Sequence, residues 1–371
     1  MRKSSIVSLV LLFMLMPAVQ QRIHAQNANI VHASSYSVYM GKVQRWFNIY
    51  LPPSYTTATT IRYPVIYFLH GGGGDENQLT YFVTSFVHPY IQQGKVPELI
   101  VVFPSAGNNP DPFYLDSGII YNNQHYNPDS YIIKELIPHI DSTYRTINDR
   151  KSRAVSGMSE GGFGTFHFAF KYPQLFCAGG SFSAGGPYVN NAPHFDNYSP
   201  ADDPHKLAVS NAAILSAQMR VYISVGGTDG LVGYNKDMAD TCKNNKIPYV
   251  YTVVPNVGHD LNGQMQQDGL QSVQYITNGF MPVPVTNPAL SGSNVRHQAT
   301  IALQGATLRI ATPFTQEMTI DLVTLSGKIA GSYRTSGQNI CLDLSTYARG
   351  TYCVLMHSAS GTMEKRIVLA Q

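Results

Sequence analysis

Residues 157–162 read Gly-Met-Ser-Glu-Gly-Gly, and they stand between a short apolar run and a segment of helical character at residues 163–172. This setting is typical of a nucleophile elbow, a strand-to-helix turn so sharp that the residues two before and two after the serine must be small. Gly157 and Gly161 meet that requirement. The turn would expose the hydroxyl of Ser159. The stretch therefore predicts a buried strand that ends in a nucleophilic serine.

Two further segments provide the partners that such a serine needs. A serine is a weak nucleophile until a base takes its proton, and His259 follows the predicted strand Tyr249–Pro255. Asp229 follows the predicted strand Arg220–Val225. Catalytic groups of open parallel sheets collect at the carboxyl ends of the strands, and the order Ser159, Asp229, His259 is that of an α/β-hydrolase triad. Simpler roles stay open: Asp229 could cap the next helix, and His259 is one of twelve histidines.

A glycine-rich loop supplies the remaining part of the predicted site. Residues 70–74 read His-Gly-Gly-Gly-Gly and follow the apolar run Pro64–Leu69. The oxyanion of acyl transfer needs two N–H donors, one from the residue after the serine and one from such a loop. We therefore predict that the backbone N–H groups of Gly72 and Glu160 form an oxyanion hole. A phosphate-binding loop is disfavoured because no Lys-Ser or Lys-Thr pair follows.

The composition indicates a folded globular chain and excludes several classes of function. Of the 371 residues, 44% are hydrophobic and 13% are charged, which is unlike a disordered protein. The formal net charge of +3 is too small to indicate a nucleic-acid partner. Neither C-x-x-C nor H-x-x-x-H occurs in the sequence. Nothing therefore supports a metal site, and we expect no cofactor.

The first 25 residues have the pattern of a signal peptide. Arg2 and Lys3 precede an apolar run at residues 6–16, and Ala25 stands at the expected cleavage point. The run is too short to span a bilayer as a helix, although an uncleaved N-terminal anchor is an alternative. No other stretch approaches spanning length. We expect an exported protein, secreted or at the cell surface, without a stable transmembrane segment.

Strand and helix patterns alternate over residues 26–282, which predicts an α/β domain with a mostly parallel sheet flanked by helices. The segment Asp129–Tyr144 has apolar residues at helical spacing, but Pro138 within it should kink or divide the helix. The segments Ser105–Pro128 and Pro187–Asn211 are loop-like and follow strands. Both are candidate walls for a substrate, or else solvated loops.

The pattern changes to short strands beyond a linker at residues 283–297, which is rich in Pro, Ser and Gly. Six short strands separated by turns predict a small β-sandwich over residues 298–371. Cys341 and Cys353 stand on either side of a turn and could face each other across a hairpin. The pairing of Cys177 and Cys242 cannot be inferred from the sequence.

Residues 42–278 resemble the esterase D-like esterases, above all the feruloyl and acetylxylan esterases of carbohydrate esterase family 1. The matching pieces lie at residues 63–72, 136–140, 150–162, 227–233 and 258–260. The resemblance implies an α/β-hydrolase fold and a triad of Ser159, Asp229 and His259. Two positions differ from that family's usual pattern: Glu160, where an uncharged residue is usual, and Gln264, near an aromatic position, which affects the implied substrate contacts.

Residues 298–371 resemble the C-terminal sorting domain of bacterial type IX secretion. The resemblance rests on Asp-Leu-Ser-Thr-Tyr-Ala-Arg-Gly-Thr-Tyr-Cys-Val-Leu at residues 343–355 and on the closing basic strand at residues 364–369. It implies that secretion machinery is a partner of this domain. A carbohydrate-binding β-sandwich is the alternative, although the chain's single tryptophan, Trp46, lies elsewhere.

Together these observations predict a secreted serine carboxylic ester hydrolase. The resemblance implies that it removes feruloyl or acetyl groups from a plant polysaccharide such as xylan. Two alternatives stay open, because a fold does not determine a function. One is a serine peptidase or acyltransferase on the same fold. The other is a carbohydrate-binding protein without catalytic activity.

Overall fold

The computed structural model describes residues 28–106, 113–116, 120–121, 124–186, 199–284, 300–311, 317–324, 329–336, 339–358 and 361–369. The predicted signal peptide and residues 285–297 of the predicted linker lie outside these ranges. Within the described ranges, no helix combines the length and the apolar character that crossing a membrane requires.

A mixed eight-stranded sheet organises residues 28–284. The strands of this part are β1 (Asn29–Ser37), β2 (Val43–Leu51), β3 (Ile61–Arg62), β4 (Val65–Leu69), β5 (Ile100–Pro104), β6 (Ile120–Tyr121), β7 (Gln124–His125), β8 (Arg153–Met158), β9 (Ala178–Phe182), β10 (Arg220–Gly226), β11 (Tyr249–Val254) and β12 (Val283–Pro284). The sheet has the order β1-β2-β5-β4-β8-β9-β10-β11. The pairs β1–β2 and β2–β5 are antiparallel, and the strands from β5 to β11 are parallel.

Eight α-helices are described in the same part. They are α1 (His88–Gln92), α2 (Pro128–Tyr131), α3 (Ile137–Thr143), α4 (Glu160–Lys171), α5 (Pro204–Ser210), α6 (Ala212–Gln218), α7 (Val232–Asn244) and α8 (Leu261–Ile276). Most of them connect successive parallel strands, as crossover helices do. The mostly parallel sheet flanked by helices is therefore confirmed.

The central strand β4 is buried on both faces of the sheet, which explains its continuously apolar sequence. Val65, Tyr67 and Leu69 pack into the hydrophobic core on one face of the sheet, whereas Ile66 and Phe68 pack into the core on the other face. Successive side chains of a strand point to opposite faces, so a strand covered on both faces has no polar positions. Such strands hold the loops that follow them in fixed places.

The helical segment around Pro138 is divided, as predicted. A π-helical turn at Ile132–Leu136 follows α2, and α3 begins at Ile137 with Pro138 in its first turn. A proline is tolerated there because the first N–H groups of a helix have no partner within the helix. The predicted loop Pro187–Asn211 is wrong for its second half, because Asp203 caps α5 and Pro204 begins it. Residues 187–198 lie outside the described residues.

Two antiparallel sheets make up the described part of residues 300–369. Their strands are β13 (Thr300–Gln304), β14 (Thr307–Ala311), β15 (Met318–Thr324), β16 (Ile329–Thr335), β17 (Asn339–Asp343), β18 (Gly350–Ser358) and β19 (Gly361–Leu369). The sheets have the orders β13-β14-β17 and β16-β15-β18-β19. They share one hydrophobic core, in which Leu308 and Ile310 of the first sheet join Ile320 and Val354 of the second. A small β-rich unit follows the α/β part, as predicted.

The expected hairpin of Cys341 and Cys353 is wrong. Cys341 is exposed on β17, which pairs with β14, and Cys353 is buried on β18, which pairs with β15 and β19. The two strands are neighbours in the chain but belong to different sheets. Cys177, Cys242 and Cys341 are free thiols.

The predicted linker begins as ordered structure. Val283 and Pro284 form β12, which pairs with β3 of the α/β part. The preceding Met281 is buried and packs with Val323, Cys353 and Leu355 of the second sheet. The β-rich unit therefore has an apolar contact with the end of the α/β part, which the composition of the linker did not predict.

Candidate active site

Ser159 has the strained backbone of a nucleophile elbow. It stands between β8 and α4 with φ 60° and ψ −116°, a region that non-glycine residues rarely occupy. A Cβ atom on Gly157 would lie 2.5 Å from the carbonyl oxygen of Gly161, and one on Gly161 would collide with the carbonyl oxygen of Leu69. The two glycines are therefore sterically required, as the sequence predicts, because the turn packs directly against the end of β4.

Asp229 and His259 lie on two neighbouring loops that are tied together. They follow β10 and β11, which pair in parallel. The N–H of Thr228 donates to the carbonyl oxygen of Val257 at 2.9 Å. A Cβ atom on Gly226, at the end of β10, would collide with the backbone of the histidine loop. This glycine therefore allows the close approach of the two loops.

The imidazole and the carboxylate form a direct hydrogen bond. His259 Nδ1 lies 2.9 Å from Asp229 Oδ2, while Asp229 Oδ1 accepts the N–H of Leu231 at 2.9 Å. The carboxylate thus holds the histidine and also the N–H of Leu231, the residue before α7. It does not cap α7, whose start has no side-chain cap, so the simpler role considered from the sequence is wrong. Burial raises the pKa of Asp229, but hydrogen bonds from Ser183, Leu231 and His259 outweigh it and lower the pKa.

The exposures of the two partners differ in a way that suits general-base chemistry. The Asp229 side chain is 3% exposed, and the His259 side chain is 43% exposed. A buried carboxylate stabilises an imidazolium without meeting solvent, whereas an accessible imidazole can exchange a proton with a bound molecule. The pair is fixed on one side and open on the other.

A cavity of about 390 Å³ brings all the predicted site residues together. Its walls come from the loops after β4, β5, β8, β9, β10 and β11. The lining residues are Gly72, Phe113, Ser159, Glu160, Gly185, Gly186, Asp229, Gly230, Leu231 and His259. The volume lies within the range of small-molecule sites.

The glycine-rich loop is held by its own histidine and by a glutamine. His70 Nδ1 lies 2.9 Å from the carbonyl oxygen of Gly71, and His70 Nε2 accepts the N–H of Ala106. The N–H of Gly71 donates to Gln78 Oε1 at 2.8 Å. The Gly71 N–H is therefore engaged within the loop, while the next residue, Gly72, borders the cavity.

An aromatic wall of the cavity follows β5, in a segment that the sequence indicated only as a polar and aromatic insertion. Phe113 and Tyr114 have φ values of 51° and 62°, which is unusual for bulky residues. Tyr114 is buried, and its hydroxyl donates to the carbonyl oxygen of His70 at 3.0 Å. This anchor presents Phe113 to the cavity, where its ring also meets Phe163 edge-on.

Two buried polar residues lie behind the cavity: Asn235, which no sequence pattern indicated, and Gln264, which the sequence indicated only as a departure from the resembled family. Asn235 on α7 accepts the N–H of Ala184 and donates to the same residue's carbonyl oxygen, which fixes the loop that carries Gly185. Gln264 on α8 is fully buried and donates to Ser183 Oγ at 2.8 Å. It is not among the cavity-lining residues, so the implied substrate contact near this position is not made by its side chain.

A second group of polar side chains lies away from the cavity. Asp129, His167 and Asp202 bring potential metal-ligand atoms within 4.8 Å of one another. However, the Lys171 ammonium lies 2.7 Å from a carboxylate oxygen of Asp129 and 2.7 Å from one of Asp202. A cation already occupies the position between the carboxylates, so this group is a salt-bridge network. It ties α4 to α2 and to the 3₁₀ turn before α5.

The fold and site geometry agree with a protein family. The model of a family described as "Putative esterase" matches residues 37–266. The chain belongs to this esterase family. The match covers the elbow, both loops that carry Asp229 and His259, and the glycine-rich loop.

Individual relatives are similar over parts of their length. An esterase of Mycobacterium tuberculosis is 32% identical over 141 residues, which are 37% of this chain and 28% of the relative. A protein of Xylanibacter ruminicola named endo-1,4-beta-xylanase/feruloyl esterase is 32% identical over 185 residues, or 47% of this chain and 24% of the relative. The chain thus spans less than a third of these relatives. A solved ferulic acid esterase matches with a TM-score of 0.58 and 23% identity, over 68% of this chain and 98% of that one, which shows the α/β-hydrolase fold.

Proposed function

We propose that this esterase-family chain is a serine carboxylic ester hydrolase that works through an acyl-enzyme. The observation that carries the proposal is one cavity bordered by the strained Ser159 and by a half-exposed His259, which is bonded at 2.9 Å to the buried Asp229. Strain at a single polar residue on a cavity wall is typical of functional sites.

The proposed mechanism uses each residue in one role. His259 takes the proton of the Ser159 hydroxyl as the serine oxygen attacks the ester carbonyl. Asp229 stabilises the resulting imidazolium, and the N–H groups of Gly72 and Glu160 stabilise the oxyanion. His259 then returns the proton to the alcohol that leaves. Water repeats the sequence on the acyl-enzyme, which releases the acid and restores the serine hydroxyl.

The proposed substrate is a feruloyl or acetyl ester carried by a plant polysaccharide such as xylan. The names of the Xylanibacter relative and of the ferulic acid esterase support this class. The aromatic Phe113 wall also suits a phenolic acyl group, because offset or edge-to-face aromatic contacts add to burial. An acetyl group would leave that wall unused.

Acyl-group preference provides the experiment. Wild-type protein is assayed on p-nitrophenyl acetate, methyl ferulate, acetylated xylan and a peptide p-nitroanilide, with Ser159→Ala as the matched inactive control. Hydrolysis of methyl ferulate, lost in Ser159→Ala and weakened in KM by Phe113→Ala, supports the proposal. Cleavage of the anilide alone would favour a peptidase, and polysaccharide binding without any hydrolysis would favour the non-catalytic alternative.

We also propose that residues 1–25 direct export and that residues 298–371 address the protein to secretion machinery. In that case the β-rich unit is not required for hydrolysis. The test uses a truncated chain, and the pair of β12 with β3 decides where it should end. A chain that ends at Pro284 keeps this pair, whereas one that ends at Phe280 loses it. The Pro284 chain should hydrolyse p-nitrophenyl acetate like the full chain yet fail to leave the periplasm of the native host. Loss of hydrolysis would mean that the β-rich unit completes the site.

A further inference from the structure

The backbone N–H of Gly72, the proposed second donor of the oxyanion hole, belongs to a peptide unit whose carbonyl oxygen is held twice. This oxygen, on Gly71, accepts from His70 Nδ1 at 2.9 Å and from the Gly74 N–H at 3.0 Å. The N–H and the C=O of a trans peptide lie in one plane and point in opposite directions. Two bonds to the oxygen therefore fix the direction of the Gly72 N–H.

The preceding peptide unit, between His70 and Gly71, is held at both ends. Its carbonyl oxygen accepts the Tyr114 hydroxyl at 3.0 Å, and its N–H donates to Gln78 Oε1 at 2.8 Å. A carbonyl oxygen can only accept and a backbone N–H can only donate, so each bond has one possible direction and the Gln78 amide must present its oxygen. The same rule makes Nδ1 the protonated nitrogen of His70, because its Nε2 accepts the N–H of Ala106 at 3.2 Å.

The two side chains that hold this unit reach it from different parts of the chain. Gln78 follows the glycine-rich loop, and its amide lies so close to Gly74 that a Cβ atom there would collide with it. Tyr114 comes from the segment after β5, is fully buried, and packs over Gly164 of α4, where a Cβ atom would lie 2.9 Å from its ring. Gly74 and Gly164 thus make room for the two side chains.

Packing accounts for the ring of Tyr114 but not for its hydroxyl. A phenylalanine would fill the same space without the cost of burying a polar group. Tyr114 also has φ 62°, a conformation that costs free energy in a residue with a side chain. What this residue provides in return is a donor at the His70 carbonyl, one peptide unit before the proposed oxyanion donor.

We infer that Tyr114 and Gln78 are positioning residues for the proposed hydrolysis, in that they hold the peptide unit before Gly71 and so aim the Gly72 N–H at the oxyanion. The inference rests on the proposed function. The oxyanion develops only in the tetrahedral states through which the acyl-enzyme forms and breaks down. A misdirected N–H should therefore slow both steps and lower kcat, while KM stays unchanged.

The test removes each hydrogen bond without changing a residue that lines the cavity. Tyr114→Phe deletes only the hydroxyl, and Gln78→Met replaces the amide by an apolar side chain of similar length. Gln78 is exposed, so its substitution spares the core and keeps the inference testable if Tyr114→Phe folds poorly. Tyr50→Phe is the matched control, because Tyr50 is also fully buried but its hydroxyl bonds to His88 Nδ1 at 2.8 Å and joins β2 to α1.

The readouts are kcat and KM on p-nitrophenyl acetate, the affinity for phenylboronic acid by calorimetry, and the thermal unfolding midpoint. Phenylboronic acid forms a tetrahedral adduct with a nucleophilic serine, and an oxygen of the adduct takes the place of the oxyanion. Its affinity therefore reports transition-state stabilisation. A role in stability alone would change only the unfolding midpoint.

We expect Tyr114→Phe to lower kcat about 10-fold, less than the roughly 100-fold cost of losing a donor, and to weaken the binding of phenylboronic acid by a similar factor. Gln78→Met should change both quantities in the same direction by about 3-fold. KM should stay within about 2-fold of wild type in both variants. Unchanged kcat and affinity in both variants, a rise in KM at constant kcat, or equal losses in Tyr50→Phe would overturn the inference.

The proposed function fails separately, if folded wild-type protein does not hydrolyse p-nitrophenyl acetate. Phenylboronic acid then still tests the inference, which predicts weaker binding in Tyr114→Phe than in wild type. Equal affinities, or wild-type protein that binds no phenylboronic acid, would overturn it.

Discussion

The α/β part contains two aspartate–histidine pairs with the same nitrogen–oxygen distance, but their exposure to solvent and their other partners differ. His259 Nδ1 lies 2.9 Å from Asp229 Oδ2, and His167 Nε2 lies 2.9 Å from Asp129 Oδ2. The first imidazole is 43% exposed and borders the cavity beside Ser159, whereas the second is 0% exposed. The hydrogen-bond distance alone therefore does not distinguish a catalytic pair from a structural one.

The surroundings of the two pairs explain the difference. Asp129 also accepts from Lys171 at 2.7 Å and from the Tyr172 hydroxyl at 2.7 Å, so its oxygens are engaged by the protein itself. Asp229 uses its hydrogen bonds to hold one histidine whose far edge is accessible. A closed network contributes to the fold, while an open one leaves a nitrogen available for a substrate proton.

The largest expected effect on catalysis comes from the open pair, His259 and Asp229. His259→Ala should lower kcat on p-nitrophenyl acetate by roughly a million-fold, and Asp229→Asn by about 10,000-fold. The unfolding midpoint of His259→Ala should stay close to that of wild type, because the side chain is half-exposed. Stopped assays at high enzyme concentration and a thermal melt provide the two measurements. A loss of less than about 100-fold in His259→Ala would exclude it as the base.

For the closed pair, His167 and Asp129, we expect a loss of stability without a loss of catalysis. His167→Ala removes one hydrogen-bond partner from the buried Asp129, which keeps Lys171 and Tyr172 as partners, and an unmet bond at a buried polar group costs about 1–3 kcal/mol of stability. Urea unfolding should show this loss, while kcat of the folded protein stays near wild type. His32→Ala, at a half-exposed histidine 3.9 Å from Glu76, is the control and should change neither quantity. A fall in kcat without a loss of stability would assign the closed pair to catalysis.

The contribution of the closed pair to stability should depend on pH in the acidic range. Burial raises the pKa of Asp129, but the hydrogen bonds and charges of His167 and Lys171 outweigh it and lower the pKa to about 2. A carboxylate with a lowered pKa stabilises the fold above its unfolded value, and this stability is lost as the pH falls through the folded value. Stability should therefore decline between about pH 4 and pH 2. Asp129→Asn should be less stable at pH 7 and show a shallower decline by circular dichroism; an unchanged slope would contradict the role of Asp129.

The smallest expected effect concerns the charge beside the nucleophile. Glu160 is buried and borders the cavity, and its carboxylate opposes a developing oxyanion, whereas the proposed mechanism uses only its N–H. Glu160→Gln should leave kcat equal or raise it, as steady-state kinetics would show. A loss of roughly 100-fold, comparable to removal of an oxyanion-hole donor, would mean that the carboxylate itself takes part.

The parts of the site that the sequence predicts are those encoded by local geometry. Gly157 and Gly161 reveal the elbow because the turn itself excludes side chains there. The strand ends before Asp229 and His259 follow from apolar runs that stop at polar loops. The order of these elements then brings the residues to one sheet edge.

The parts that it does not predict depend on contacts between distant segments. Ser183 and Gln264 are separated by 81 positions, and no local pattern relates them. The strands that carry Cys341 and Cys353 are consecutive in the sequence but belong to different sheets. No local pattern shows to which sheet each strand belongs. By contrast, the Asp203-Pro204 pair that begins α5 is a local helix-start signal, and it was available in the sequence.

Covalent labelling tests the central claim, that Ser159 is a nucleophile activated by the open pair and not by the closed one. The protein is treated with a fluorophosphonate, and the adduct is located by peptide mass spectrometry in wild type, His259→Ala and His167→Ala. We predict one adduct per chain, on Ser159, formed at similar rates in wild type and folded His167→Ala and lost in His259→Ala. An adduct on another residue, or labelling of Ser159 at the wild-type rate in His259→Ala, would contradict the claim.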